Sequence, residues 1–521
     1  MALTDLYTNP LSSQQVAHLL RRASFGGSPI QIKELTGKTA SYVVDILLAP
    51  QPELPDPKDY DGHDFVKLPW GAPETDQTLM QTLDNKRRGR VRTWSMNLMI
   101  ERELTLLEKT SLFWQNHFVT TISLVQESRF IYQYIQTIRK HALGNFKEFV
   151  LDMTKAPAML KYLDNNENIV GKPNENFARE LQELFTIGDG NYTEDDVKMA
   201  AKVLTGWVDT NYRNKTKAGV GHVFDLKRHD TSDKVFSSFY GNKVIKGGKI
   251  QFDAINELNQ LVDMILAQNE TALFIIRKLY RWFINSEISL EAERDFIKPL
   301  ANDFRKNYEI KPLLSSFFKS KHFFDEAHIG VQIKSPLDLM IGTLRSFEYL
   351  VPDESTGLKK HIDTLTFFTN KAREMEMNLI DQPSVFGWSP YYELQYDKLW
   401  ISASTLLQRN LMTDSFTTGL PVYNLDFKVL NVVSKLPNPN DPATIVNFFV
   451  EWLIAVPITD AQKLFLTDNV LLSGTTTRSQ WDTDWKAYKA NPSNALAIAK
   501  VKPKINNLLK YIFRLAEYQL N

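Results

Sequence analysis

Asn174-Glu-Asn-Phe-Ala-Arg-Glu-Leu-Gln-Glu-Leu-Phe-Thr-Ile-Gly188, followed by Asp189-Gly-Asn-Tyr-Thr-Glu-Asp-Asp196 and closing at Leu204-Thr-Gly-Trp207, decides how the chain is read. Phe177, Ala178, Leu181, Leu184 and Phe185 recur at helical spacing, so the first part is an amphipathic helix. Asn176, Glu180 and Glu183 stand at i, i+4 and i+7 along the edge of its apolar face, with Glu175 and Arg179 on the solvated side. A carboxylate at a core boundary either pairs with Arg or Lys or has its pKa raised into the range that suits proton transfer. Both readings stand open for Glu180 and Glu183, and Asn176 is a ligand-binding candidate beside them. The turn that follows places oxygen side chains like the start of a calcium loop. Its sixth position is Glu194 where glycine is needed, and its twelfth is Ala200 where glutamate is needed. Thr193 with Asp196 is instead a helix N-cap with an acidic partner, and the unit is a capped helix pair.

The same period extends outward on both sides and predicts a mainly α protein: a large multi-helix domain with a small β-hairpin insertion near 220–245 and long Pro/Gly-rich loops. N-terminal helices fill 1–51, a loop or flap 52–77, the main helical domain 78–410, and C-terminal helices 411–521. In a helix expected over Glu101 to Thr120, His117 shares a face with Phe113, Trp114 and Phe118. It is either a core histidine or an acid/base group at the floor of a cleft. The change of character at 208–250 predicts two strands, from His222 and from Lys234, joined across 227–233. His229 and Asp230, with Lys234 nearby, form an acid/base candidate or a solvated turn. One helix is expected over Leu261 to Asn285, where Arg277 and Arg281 lie four apart and could clamp an acidic ligand or pair internally. Ser335-Pro336 starts a helix with a cap and a proline at its first position. Trp388 and Trp400, at the two ends of a Pro/Gly/Trp stretch, are either stacking residues or loop anchors.

Composition narrows the function classes. Lys plus Arg and Asp plus Glu are 61 each, so the broad basic footprint expected of a nucleic-acid partner is missing. With no cysteine, disulfides, thiolate catalysis and zinc-thiolate sites are excluded. No window is apolar enough to span a bilayer. The Arg21-Arg22 pair is followed by Gly26-Gly27-Ser28 and not by the apolar run of an export signal, so the sequence as given predicts a cytoplasmic protein, or an envelope or secreted one had a leader been removed. No P-loop, dinucleotide fingerprint, zincin motif or nucleophile elbow is found.

Several segments carry a family resemblance: His18 to Gly26, Phe113-Trp-Gln-Asn-His-Phe118, Asn174 to Gly188, Tyr192 to Val197, Leu204-Thr-Gly-Trp207, and His229-Asp230 with Lys234. To these are added Arg277-Lys-Leu-Tyr-Arg-Trp-Phe283, Ile333-Lys-Ser-Pro336, Gln382-Pro383, Gly387-Trp388 and Trp400 to Arg409. Together they resemble the bacterial family called domain of unknown function 1800. The resemblance implies a large helical protein, often exported and frequently encoded beside a family similar to the alkaline-phosphatase/sulfatase superfamily. No cofactor follows from it. Where the family often has His-Asn-His, this chain has Gln115-Asn116-His117, so no metal is assigned. Three functions are carried forward. The first is a binding or accessory protein acting with a phosphatase/sulfatase-like partner on a polymer or carbohydrate. The second is a hydrolase using His117, Glu180, Glu183, His229 and Asp230, and the third a structural assembly subunit.

Overall fold

The computed structural model describes residues 2–53, 55–101 and 104–521. It is mainly α-helical, with two small two-stranded antiparallel sheets. The chain divides into two compact units that do not follow chain order: one made of 1–7, 44–323 and 378–396, the other of 8–43, 324–377 and 397–521.

In the first unit, the helix Ser128–His141 shows how sequence sets architecture. Phe130, Ile131, Tyr134, Ile135 and Ile138 fall on one side and are all buried. Burying each such side chain is worth about 1.5–3 kcal/mol. Glu127 caps its N-terminus, and Arg139, Lys140 and His141 sit in its last turn, where cations favour the helix dipole. Against it pack the helices Gln77–Glu101, Leu107–His117 and Phe146–Lys155. Beside this bundle stands the opening pair, Glu175–Glu183 and Glu194–Val203, which pack on one another. Thr193 and Asp196 form the reciprocal cap expected of them.

Three expectations are corrected. The helix expected from Glu101 to Thr120 is shorter: Gln77–Glu101 ends where it was to begin, and Leu107–His117 follows, with 102–103 outside the described residues. The helix expected over Leu261 to Asn285 is two, Gln251–Leu266 and Asn269–Phe283. Gln268 is extended between them, and the Thr271 hydroxyl donates to the Ile265 carbonyl at 2.7 Å, closing the first helix's end. The insertion is not one hairpin. Gly221–Phe224 pairs with Trp207–Thr210, and Lys234–Val235 with Val244–Ile245. The Asp225 side chain caps a tight turn over 226–228, which ends the strand from Gly221 before it can meet the one from Lys234.

The second unit is built from helices of three distant stretches. Ser13–Ser24 starts with a Ser12–Gln15 capping box and buries Val16, Leu19, Leu20 and Ala23. Pro336–Ser346 starts with Ser335 and Pro336 as expected. Where these helices meet, a Cβ on Gly342 would lie 2.9 Å from the Phe25 carbonyl oxygen, so only glycine permits the approach. Ala403–Thr418, Pro442–Leu453 and Ala495–Arg514 complete the layer.

Candidate functional site

The edge stripe of the 175–183 helix is present. Asn174 caps the helix by accepting the Asn176 N–H, and Asn176, itself exposed, reaches the Leu163 carbonyl at 3.4 Å. Glu180 and Glu183 are half-buried. Burial, then the neighbouring Glu183, push the Glu180 carboxyl up to about 7, with Arg179 opposing. Arg179 spends its charge outward, on Glu194 at 2.6 Å. Glu183 accepts the Tyr192 hydroxyl at 3.1 Å. Glu180 therefore holds its proton to a higher pH than an ordinary carboxyl does.

His117 occupies different surroundings. It is buried among Trp114, Phe118 and Phe185, with ring centroids 4.6–6.1 Å away, and its Nε2 donates to the Phe185 carbonyl at 3.0 Å. Burial, then the Lys278 ammonium, hold its pKa well below the usual histidine value, so it is a neutral imidazole. Lys278 donates to the Leu184 carbonyl at 3.4 Å and is itself pushed down to about 7 by burial and by Arg281. The charged group acting on His117 is thus Lys278, whereas Glu180 answers to Glu183 and Arg179.

His229 lies in a third environment. Its Nδ1 stands 2.9 Å from the Thr205 carbonyl, and its Nε2 3.0 Å from Oε1 of Glu257. Oε1 also accepts the Gly248 N–H at 2.6 Å, and Oε2 takes the Lys234 ammonium at 2.5 Å. All three side chains are fully buried. Asp230 turns away from this network and accepts from Ser232; burial opposes that stabilisation, yet the Ser232 hydrogen bonds and Lys234 hold its carboxyl below the ordinary range. Glu257 was not singled out by the sequence. The available signal was a carboxylate in line with Ala254, Leu258 and Leu261 on an apolar helix face.

The remaining candidates are tied internally. Arg277 pairs with Glu293 at 2.6 Å and with Glu270. The Arg281 guanidinium lies over the Tyr396 ring, 5.1 Å from its centre. Trp388 and Trp400 are 1% and 3% exposed, and Trp70 is 2% exposed, so of the two alternatives left open for Trp388 and Trp400 the burial fits loop anchors. Asn116 fixes the loop before Trp388: its Oδ1 accepts the Trp388 N–H at 2.8 Å. Gly387 has φ 95°, and a Cβ there would strike that oxygen at 2.3 Å. Among the described residues, Asp59, Asp61 and His63 form the one group spaced to hold a metal ion. Asp59 already accepts Nε and Nη2 of the buried Arg87 at 3.0 and 2.8 Å, so its charge is taken.

In the second unit a groove of ≈ 660 Å³ runs between the N-terminal helices and Pro442–Leu453. Its apolar walls include Ile30, Ile32, Phe347, Val432, Phe448 and Trp452, and its charged residues are balanced, Lys33 and Lys435 against Glu348 and Glu451. Phe347 and Phe448 both pack on Trp452, with centroids 4.9 and 5.4 Å away. Its volume falls within the range spanned by small-molecule pockets. Sequence reasoning missed it because its walls come from stretches more than 300 residues apart.

Residues 18–520 match the family model described as "Protein of unknown function (DUF1800)". No curated protein and no solved structure matches the chain.

Proposed function

The chain belongs to the DUF1800 family, and since that description assigns no activity, we propose from the chain's own geometry a ligand-binding protein whose ligand has an apolar body. The observation that carries this is the groove lined by Ile30, Phe347, Phe448 and Trp452, in which Ile30 is 48% exposed and Phe448 half-buried. Apolar surface left open in a concave site is worth about 25 cal/mol per Å² to whatever covers it. In the wider form of this reading, the chain is an accessory protein acting with a phosphatase/sulfatase-like partner on an envelope or extracellular polymer. That form rests on the family resemblance, and the burial of Trp70, Trp388 and Trp400 gives these indoles no part in it.

The test is titration of the full chain with N-phenyl-1-naphthylamine, a neutral apolar fluorophore. Saturable binding at one site is expected, weakened at least about tenfold in Phe448→Glu, equivalent to about 1.4 kcal/mol, with an unchanged thermal melt. Equal binding by the variant sinks the reading. So does a doubled particle mass that Phe448→Glu returns to the monomer, because a second copy would then be the occupant.

A second reading, hydrolysis with Glu180 as acid and Glu183 as base, is favoured by the Glu180 carboxyl standing at about 7 while still reached by solvent. Any hydrolytic activity found with ester, phosphate or glycoside substrates should then fall as pH rises through about 7. That limb should vanish in Glu180→Gln.

A further inference from the structure

The loop that Gly387 and Trp388 anchor has an outer side as well as an inner one. Its inner side is fixed at three points. Gln382 Nε2 donates to the Gln115 carbonyl at 2.8 Å, the Trp388 N–H donates to Asn116, and the Tyr391 ring lies 4.1 Å from that of Trp282. Phe386 and Tyr392 are left at the surface, 45% and 38% exposed. Their rings lie together, with centroids 5.4 Å apart and planes inclined at 34°. The result is a pair of open aromatic faces on a backbone that is already held in place.

Hydroxyl groups gather at the phenol end of this pair. The Tyr392 hydroxyl stands 3.4 Å from Ser384 Oγ and 3.4 Å from Ser389 Oγ. A strong O–H···O bond is about 2.7–2.8 Å long, so these hydroxyls touch without saturating one another. Each has one donor and two acceptor sites to place. Ser384 Oγ also accepts the Phe386 N–H at 3.3 Å, which ties it to the backbone of the neighbouring ring. Among the described residues, Ser389 Oγ has no further hydrogen bond, and no charged side chain pairs with any member of this cluster.

Apolar side chains exposed singly are ordinary, whereas open aromatic faces with unsaturated hydroxyls at their edge offer two kinds of contact side by side. A ligand that uses both needs a flat face of C–H bonds and a rim of hydroxyls. A pyranose chair with equatorial hydroxyls is built that way: its axial C–H bonds point at the electron-rich face of an aromatic ring, and its hydroxyls lie round the edge. A wholly apolar partner would cover the rings and leave the hydroxyls without acceptors or donors, which is costly once water is excluded. An anionic ligand would find no cation among the contacts of these side chains. Tyr392 supplies ring and phenol together, and with the loop anchored from behind little further ordering is needed on binding.

We propose that Phe386 and Tyr392, with Ser384 and Ser389, form a platform that binds an uncharged pyranose of an oligosaccharide. One face of the sugar ring lies against the aromatic pair, and its hydroxyl edge meets the Tyr392, Ser384 and Ser389 hydroxyls. The platform shares no residue with the groove, and the proposal does not rest on the reading of the groove.

The experiment titrates the full chain with cellohexaose and, separately, with chitohexaose, both made of flat pyranoses with equatorial hydroxyls, and reads saturation transfer to the sugar protons by NMR. Saturable transfer is expected, strongest at the axial C–H protons. Tyr392→Ala should weaken binding at least about tenfold, with an unchanged thermal melt. Tyr392→Phe keeps the ring and loses the hydroxyl, so a smaller loss of about threefold is expected. Absence of transfer to both sugars overturns the proposal. So does equal binding by Tyr392→Ala, because the sugar would then sit elsewhere. Binding by Tyr392→Phe as tight as by the original chain removes the hydroxyls from recognition and overturns the choice of a sugar. A doubled particle mass that Tyr392→Ala returns to the monomer overturns it in favour of a second copy of the chain.

Discussion

The two units bury charge in opposite ways. In the first, Glu257 stands between His229 and Lys234, accepts the Gly248 N–H as well, and leaves neither carboxylate oxygen unanswered. In the second, Arg21, Lys334 and Arg409 lie near one another, Asp338 acts as counter-charge on Lys334 and Arg409, and an Arg409 nitrogen has no acceptor. A closed network is a fastener: it ties the insertion to the helix Gln251–Leu266 and admits nothing further. The other leaves a buried Arg409 donor over. The difference is one of accounting for every donor and acceptor, and it separates a histidine that looks catalytic in the sequence from arginines that look ordinary.

That contrast can be broken most sharply at Glu257. Glu257→Ala strands a buried ammonium and should cost about 3–5 kcal/mol, read as a lower urea midpoint with an unchanged slope. A loss below about 1 kcal/mol would mean the network is not a fastener. If tight closure in the first unit extends to neutral contacts, Gly387→Ala should follow at about 2 kcal/mol, since it needs a positive φ and collides with Asn116. Adding Asn116→Ala should relieve the collision part of that loss, a coupling read from the double-mutant cycle. On the open side, Arg21→Met gives up one hydrogen bond and relieves repulsion with Lys334, so the ligand-free chain should stay within about 1 kcal/mol of the original. A Glu257-sized loss there would make the two clusters alike.

The smallest effect is expected at Glu180. Its carboxyl stands at about 7 in the folded chain against 4.5 as the ordinary value, so the native state holds the extra proton between those limits. Stability from this group therefore falls as pH rises from about 4.5 to 7, and Glu180→Gln should flatten that slope in pH-dependent melts.

Local features were legible in the sequence wherever their cause is local. The Thr193–Asp196 and Ser335–Pro336 caps are each set by neighbours within four residues, and the apolar face holding His117 follows from helical period alone. His229 and Lys234 were visible as a pair, but Glu257, which gives them meaning, sits 28 residues beyond His229 inside an unremarkable helix. Trp388 reads the same in sequence whether exposed or buried, and only the Asn116 contact across 272 residues settles it as an anchor. The cation cluster was invisible because Arg21, Lys334 and Arg409 acquire a common environment only after three remote stretches have packed. Side-chain chemistry is written in the chain; which side chains share a dielectric is decided by tertiary packing.

The interleaving of the two units has a consequence for how the chain is made. The helix Ser13–Ser24 leaves the ribosome well before its partners, with Val16, Leu19, Leu20 and Ala23 on one side. Its partners near Glu451, Trp452 and Ala455 are more than 400 residues later, reached through Ser13, Arg21 and Gln14. At roughly 5–20 residues per second, that greasy strip waits on the order of 20–80 s for its cover. During synthesis that strip stays uncovered until the later helices emerge, and it is the place where a chaperone would be needed.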